Sequence, residues 1–119
     1  MKTKLRFEDF EQSRSIIIQR KDENYIEVEL KDGNLSAKKV VYLYTDFSTL
    51  ITFLKNSSRE IQSRDEATNI WESVEEDFTL TTSLARTGKA HLKAELRDAE
   101  KQWAASLTIT VPSYIFEEI

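Results

Sequence analysis

Cysteine is absent from this 119-residue chain, and glycine, proline and histidine are scarce, with two, one and one residues respectively. Without cysteine the chain has no disulfide framework and offers no thiolate to a metal, which is typical of a reducing compartment. Loops that hold phosphate groups need several glycines, and the sequence has only Gly33 and Gly88, each in a hairpin-turn pattern. Nucleotide-binding fingerprints are therefore excluded. The single histidine, His91, lacks the second ligand or orienting partner that a site requires.

Long apolar runs are missing as well. No stretch approaches the ~20 apolar residues that a membrane-spanning helix needs. The N-terminal sequence MKTKLRFEDF has basic residues but no apolar region of the signal-peptide type. We therefore expect a cytoplasmic protein with no membrane partner. A length of 119 residues fits one domain, covering residues 1–119, with a core large enough to need no covalent staple.

Strand patterns make up most of the chain. Apolar and polar residues alternate at 4–8, 15–20, 25–31 and 37–44, and again at 78–84, 90–96 and 103–111, which predicts seven strands. Between the fourth and fifth of these, apolar residues recur at helical spacing over 47–63. Residues 113–119 are compatible with a short helical turn. The alternation in the fourth strand slips between Lys39 and Val41, which predicts a β-bulge or burial on both faces.

This order of elements predicts an α+β fold, with a curved antiparallel sheet of about seven strands and one main helix inserted between strands 4 and 5. A helix ~10 Å wide covers two or three strands spaced ~4.8 Å apart. The rest of the apolar face needs another partner, and curling of the sheet on itself is the interpretation that we favour. The expected core residues are Phe47, Leu50, Leu54, Phe78, Leu80, Leu92, Leu96, Trp103, Leu107 and Ile109.

Acidic residues are concentrated in one part of the chain. The net charge is −4 overall, and residues 61–119 alone carry −5. Six acidic residues fall within positions 65–77: Asp65, Glu66, Glu72, Glu75, Glu76 and Asp77. An acidic patch repels phosphate and attracts basic surfaces, so nucleic-acid binding is disfavoured.

Three interpretations of this cluster are open: a solvated rim, a protein-binding patch, and a metal or catalytic pair. Calcium loops space their ligands as D-x-D-x-D-G, and that pattern is absent here. Neighbouring strand residues also point to opposite faces, so they do not converge without a turn. We take Glu72, Glu75, Glu76 and Asp77 as candidate partner-binding residues. We expect no catalytic residue, no metal and no cofactor.

Two tryptophans have structural alternatives. Trp103 is in phase with Leu107 and Ile109, which predicts a core position. Trp71 comes before a strand and either packs at the seam between helix and sheet or anchors an interface. The core position is the one that we favour for Trp71.

One part of the chain resembles a known group of proteins. The segments WESVEEDFTL (71–80) and GKAHLKAELR (88–97), followed by Trp103, resemble a pattern in WapI-type bacterial immunity proteins and a related uncharacterised family. The resemblance covers about residues 45–111. Those proteins tend to have glycine at the position of Glu76 and a longer C-terminal helix. The resemblance implies a cytosolic, non-catalytic protein that neutralises a cognate toxin, and it carries over no catalytic residue.

The functional expectation follows from these observations together. We expect a small bacterial protein-interaction module rather than an enzyme, with a partner that presents a basic surface, such as a toxin. The first alternative is a structural homo-oligomer, such as a homodimer, that buries an uncovered sheet face against a copy of itself. The second alternative is a carrier that holds a small ligand in the cavity of a curled sheet.

Overall fold

The computed structural model describes residues 3–9, 11–44, 47–63, 68–86 and 88–119, and its strands form two antiparallel sheets. The first sheet contains, in order, β1 (Lys4–Glu8), β2 (Arg14–Arg20), β3 (Tyr25–Asp32) and β4 (Leu35–Tyr42). The second contains β5 (Thr68–Glu72), β6 (Phe78–Arg86), β7 (Lys89–Asp98) and β8 (Trp103–Pro112). Helix α1 (Ser48–Ser63) connects the two sheets, and a 3₁₀ helix (Ser113–Glu118) follows β8.

The prediction of one curved sheet of about seven strands is therefore wrong. The chain leaves the first sheet after β4, passes through α1, and begins a separate four-stranded sheet with β5, a strand that the sequence pattern did not indicate. The apolar faces are buried by packing one sheet against the other, so no curling is needed. The helix does lie between the fourth and fifth strands, and the C-terminal helical turn is present.

Each sheet is a meander whose strands pair with their sequence neighbours. Gly33 connects β3 to β4 and Gly88 connects β6 to β7, with φ angles of +60° and +77°. Glycine adopts this left-handed region without the steric cost that a Cβ brings. The two glycines thus lie in hairpin turns, as the sequence predicted.

The core lies between the inner faces of the two sheets. Strand β8 contacts β1, β2 and β3 in turn, so it runs across the first sheet, while β7 contacts β4. Helix α1 packs against β5, β6 and the 3₁₀ helix. The inner face of the second sheet is thus shared, with the first sheet packed against β7 and β8 and the helix packed against β5 and β6.

Helix α1 packs through one apolar stripe, and its two buried serines are hydrogen-bonded. Leu50 and Leu54 are fully buried. The Ser57 hydroxyl donates to the carbonyl oxygen of Phe53 at 2.9 Å, and the Ser58 hydroxyl donates to the Glu117 carboxylate at 3.1 Å. The second bond links α1 directly to the 3₁₀ helix. Within the described residues, no helix has the length and apolarity required to cross a membrane.

The expected core residues are buried with one exception. Trp103 is half-buried and packs against the edge of the core, whereas the other nine are buried. Trp71 is also half-buried, with its ring 5.7 Å from that of Phe78 in an edge-to-face arrangement. Trp71 therefore packs on the core, as the favoured interpretation predicted.

The irregularity at Lys39 has a different cause from a bulge. The pairing of β3 with β4 is continuous from Tyr25–Tyr42 to Asp32–Leu35, so β4 contains no bulge. Lys39 pairs with the buried Val28, which places the lysine on the inner face of the first sheet. A charged residue can point inward here because carboxylates of the second sheet form ion pairs with its ammonium group.

Candidate functional site

The four candidate acidic residues lie on or beside the turn that joins β5 to β6. Ser73 organises this turn and is 3% exposed. Its hydroxyl donates to the Asp77 carboxylate at 2.6 Å and accepts the Phe78 N–H at 3.1 Å, while its carbonyl oxygen accepts the Glu76 N–H at 2.9 Å. This turn brings residues 75–77 together at one end of the second sheet, which alternation along a strand would not do.

Glu76 adopts a left-handed backbone conformation, with φ of +59°. L-residues other than glycine, asparagine and aspartate rarely do so, because the Cβ approaches the following carbonyl oxygen. Arg97 holds the strained residue in place, with Nη2 and Nε donating to the carbonyl oxygen of Glu76 at 2.7 and 3.0 Å. The glycine that the resembling proteins tend to carry at this position would adopt the same conformation without strain.

Arg97 also neutralises part of the acidic cluster. Its Nη2 lies 3.3 Å from Oε2 of Glu72 and donates to the Thr79 hydroxyl at 2.9 Å, and its Nη1 lies 3.3 Å from Oε2 of Glu95. These contacts join β5, β6 and β7 on the outer face of the second sheet. Glu72 therefore belongs to a structural ion-pair network, and its charge is partly compensated.

Lys39 compensates a second part of the cluster and connects the two sheets. Its Nζ lies 3.3 Å from Oδ2 of Asp98 and 3.8 Å from Oδ2 of Asp77. The side chain of Lys39 is only 19% exposed, that of Asp98 11% and that of Asp77 16%. Water therefore screens the charges of this group weakly. The backbone N–H of Lys101, together with the Lys39 ammonium, lowers the pKa of Asp98 against the opposing effect of burial.

A groove of about 530 Å³ lies between the end of β4 and two turns of the second sheet, the one that joins β5 to β6 and the one that joins β7 to β8. Five carboxylates and two cations line it, together with two tyrosines, a valine and an alanine. The lining residues are Tyr25, Lys39, Val40, Tyr42, Glu75, Glu76, Asp77, Arg97, Asp98, Ala99 and Glu100. We call this the acidic groove.

Three carboxylates of the acidic groove remain uncompensated. Glu75, Glu76 and Glu100 are exposed, and within the described residues their carboxylates make no hydrogen bond and no ion pair. The two tyrosines contact each other across β3 and β4, with ring centroids 5.3 Å apart, and Tyr25 is 42% exposed. The groove therefore combines free negative charge with an aromatic pair in which Tyr25 is exposed and Tyr42 is half-buried.

The sequence identified part of this site. The structure brings Glu75, Glu76 and Asp77 to the acidic groove and leaves Glu72 on the neighbouring ion-pair network. Asp65 and Glu66 lie outside the described residues. Lys39 and Glu100 were not predicted as site residues. The inward phase of Lys39 in β4 was a usable signal, whereas Glu100 had none.

A second polar cluster lies at the opposite end of β8. The Asp9 carboxylate accepts backbone N–H groups from Thr110, Glu11 and Gln12 at 2.7–2.9 Å. Burial acts to raise its pKa, but these bonds outweigh that effect and lower it. His91 is exposed on the outer face of β7, with Nδ1 3.3 Å from the Thr110 hydroxyl. Among the described residues, no three histidine, aspartate or glutamate side chains are grouped to hold a metal.

Comparison with known proteins identifies a family but no characterised relative. A sequence model of a family of unknown function, DUF6228, matches residues 2–113, which include both sheets and the helix. No curated protein matches the chain, and no solved structure does. The family match names no immunity protein, so the resemblance to the WapI-type proteins stays a prediction.

Proposed function

We propose that this chain, which belongs to the DUF6228 family, is a non-catalytic interaction module that binds a partner protein with a basic surface. The finer form of the proposal is an immunity-like role, in which the partner is a cognate toxin. The observation that carries the proposal is the acidic groove, where the charges of Glu75, Glu76 and Glu100 are uncompensated within the described residues.

The composition of the acidic groove suits protein recognition. Uncompensated carboxylates attract a basic surface over several ångströms and accelerate its association. Tyrosine is enriched at protein interfaces because it offers a large, stiff contact area with a polar tip. Tyr25 and Tyr42 lie on the rim of the groove, next to Val40, which is 51% exposed. Charge would steer a partner to this site, and the aromatic pair would provide contact area.

The two carboxylates that share the Lys39 ammonium are poorly suited to acid–base catalysis. Asp77 and Asp98 are both held by the Lys39 ammonium, and Asp77 also accepts a hydrogen bond from Ser73. A carboxylate that acts as a general acid has its pKa raised towards the working pH, whereas the pKa of Asp98 is lowered. This supports a binding role over an enzymatic one.

The homo-oligomer and the small-ligand carrier were each expected for a reason that does not hold for this fold. A homo-oligomer was expected because one sheet face would stay uncovered, but the inner faces of the two sheets cover each other. A carrier needs an internal cavity, yet the space between the sheets is filled by fully buried side chains such as Ile16, Ile18, Leu92 and Ile109.

Charge reversal tests the proposed function. The probe is the purified product of the reading frame next to this one in the source genome, immobilised for a binding assay. We expect Glu75→Lys and Glu76→Lys each to weaken binding by about tenfold, since close charge pairs across interfaces contribute 1.5 kcal/mol or more.

Glu8→Lys is the matched control, because Glu8 is also exposed but lies at the other end of the first sheet, where it forms an ion pair with Arg6. We expect this control to bind as the unchanged protein does. Equal loss in all three variants would contradict the proposal, because it would indicate a general effect of net charge. The absence of any loss in the two groove variants would contradict it directly.

A further inference from the structure

The edges of the two sheets differ in how well they are protected. Strands β1, β4, β5 and β8 each pair with one neighbour only within the described residues. Such edges present unpaired N–H and C=O groups, which bind another extended chain readily unless they are short, charged or covered. Strands β1 and β5 have five residues each. Strand β8 is longer, but the Asp9 carboxylate accepts its Thr110 N–H at 2.9 Å.

Among the described residues, β4 is the longest edge strand whose outward N–H and C=O groups donate or accept no hydrogen bond. It has eight residues, and its last hydrogen bond to the turn before β3 runs from the Leu43 N–H to the Asn24 carbonyl oxygen at 2.6 Å. Hydrogen-bonded pairs alternate along an antiparallel ladder, so every second residue of β4 directs its N–H and C=O away from β3. The residues that do so, which we call the edge residues, are Ser36, Lys38, Val40 and Tyr42.

Lys38 is the one charged residue among the edge residues, and its side chain does not cover the edge. The Lys38 Nζ lies 3.9 Å from Oε1 of Glu27 on β3, so its side chain leans back over the outer face of the first sheet. Two apolar residues of β4 are also exposed, one at its first position and one near its end. Leu35 is 75% exposed and Val40 is 51% exposed, both well above what a covered strand would show.

Two grooves follow the edge of β4. The acidic groove lies beside Val40 and Tyr42. A second groove of about 230 Å³ lies beside the first half of the strand, between Leu35 and Ala37 on one side and Ala105 and Leu107 of β8 on the other. An added strand would therefore pass one charged and one largely apolar depression.

We propose that the edge of β4 accepts an extended segment of the partner as an additional strand. This inference rests on the proposed function and specifies the part of the partner that binds. The segment carries a basic side chain beside Glu75, Glu76 and Glu100, and an apolar side chain in the second groove. The two grooves lie about four to six residues apart along β4, so the two anchors are separated by a similar number of positions in the added strand.

Charge favours a basic segment over a second copy of this chain. The chain has a net charge of −4, so two copies repel each other at low salt. A basic segment instead brings counter-charge to three carboxylates that have none within the described residues. A second copy is therefore an outcome that the experiment has to distinguish.

Hydrogen exchange tests the edge before any ligand is added. In the free protein we expect the amides of the edge residues to exchange fast, and those of the alternate β4 residues, which bond to β3, to exchange slowly. Uniformly slow exchange along β4 would overturn the proposal. Protection of the edge residues that rises with protein concentration alone would assign the edge to a second copy.

The ligand probe is a library of random twelve-residue peptides displayed on phage. We expect selected peptides to be basic and to protect the amides of the edge residues. Val40→Pro removes an edge N–H without removing a bond to β3, because the Val40 N–H points away from β3. Proline is tolerated at such positions of edge strands. The substitution should weaken peptide binding by about tenfold or more. Val40→Thr keeps the N–H and should weaken peptide binding clearly less than Val40→Pro does.

Methylation of the peptide gives the same test without altering the protein. N-methyl groups should abolish binding when they block the alternate peptide amides that face β4. They should leave binding intact when they are placed on the other set of amides. A library that yields no binder, or binders equally tight to the Pro and Thr variants, would overturn the proposal. Binders that are lost with Glu75→Lys but unaffected by Val40→Pro would leave the proposed function standing and refute strand addition alone.

Discussion

Substitution of Glu76 by glycine tests whether the residue at this position is kept for binding or for stability. In the left-handed region a residue with a Cβ costs about 1–2 kcal/mol relative to the right-handed region, and glycine avoids this cost. Glycine also raises the conformational entropy of the unfolded chain, which reduces the gain in the free energy of unfolding by about 0.5–1 kcal/mol. The Arg97 bonds go to the carbonyl oxygen of Glu76 and survive the substitution. We therefore expect Glu76→Gly to raise the free energy of unfolding by about 0.5–1 kcal/mol.

The assay is thermal unfolding followed by circular dichroism, where this gain corresponds to a rise in Tm of about 2–4 °C. Gln102→Gly is the matched control, because Gln102 lies in the turn between β7 and β8 with φ of +58° and carries no charge. It should give the same rise in Tm and leave partner binding unchanged. Glu76→Gln should leave Tm unchanged, since the strain stays, and should weaken binding.

Two results would refute this reasoning. A lower Tm for both glycine variants would mean that neither turn adopts the left-handed conformation in solution. A lower Tm for Glu76→Gly alone would mean that the Glu76 carboxylate stabilises the fold. If the expected pattern appears, the free carboxylate of Glu76 is maintained at the expense of stability, which is the behaviour of a functional residue.

The remaining predictions concern stability. Leu80→Ala should cost about 2–5 kcal/mol in urea unfolding, because Leu80 is fully buried between the helix and the sheets, and a cost under about 1 kcal/mol would contradict that packing. Lys39→Ala should destabilise the protein more than Lys38→Ala, since only Lys39 holds two carboxylates of the other sheet; equal losses would count against the link. Both Asp9 and Asp98 have a lowered pKa in the fold. Their stabilising effect is complete above the unfolded pKa, near 3.8, and is lost as the pH falls through the folded values. Asp98→Asn should therefore lose less stability between about pH 5 and pH 2 than the unchanged protein, and parallel curves would refute the assignment.

The strands and the helix could be predicted because alternation and helical spacing record which face of each element is buried. The same patterns do not record what covers that face. The burial of Leu92 and Ile109 is equally compatible with one curled sheet and with two packed sheets, so the choice between them depended on long-range contacts. Strand β5 was missed because its five residues expose Ile70 and leave Trp71 half-buried, which hides the alternation.

The candidate site was predictable only where its residues are close in the sequence. Glu75, Glu76 and Asp77 were found as a run of acidic residues. Their individual roles depend on Lys39 and Arg97, which reach the turn from β4 and β7 and neutralise some carboxylates but not others. No local pattern states which charges are left free, so the acidic groove became visible only when the two sheets were placed together.

The most direct test of the central claim is the dependence of the association rate on salt. The claim is that free carboxylates of the acidic groove attract a basic partner. With the neighbouring gene product as the partner, we predict that the association rate falls by about tenfold or more as NaCl rises from about 0.05 M to about 0.5 M. We also predict that this dependence flattens in a Glu75→Gln, Glu76→Gln double variant. An association rate that does not change with salt, or that changes equally in the double variant, would contradict the account.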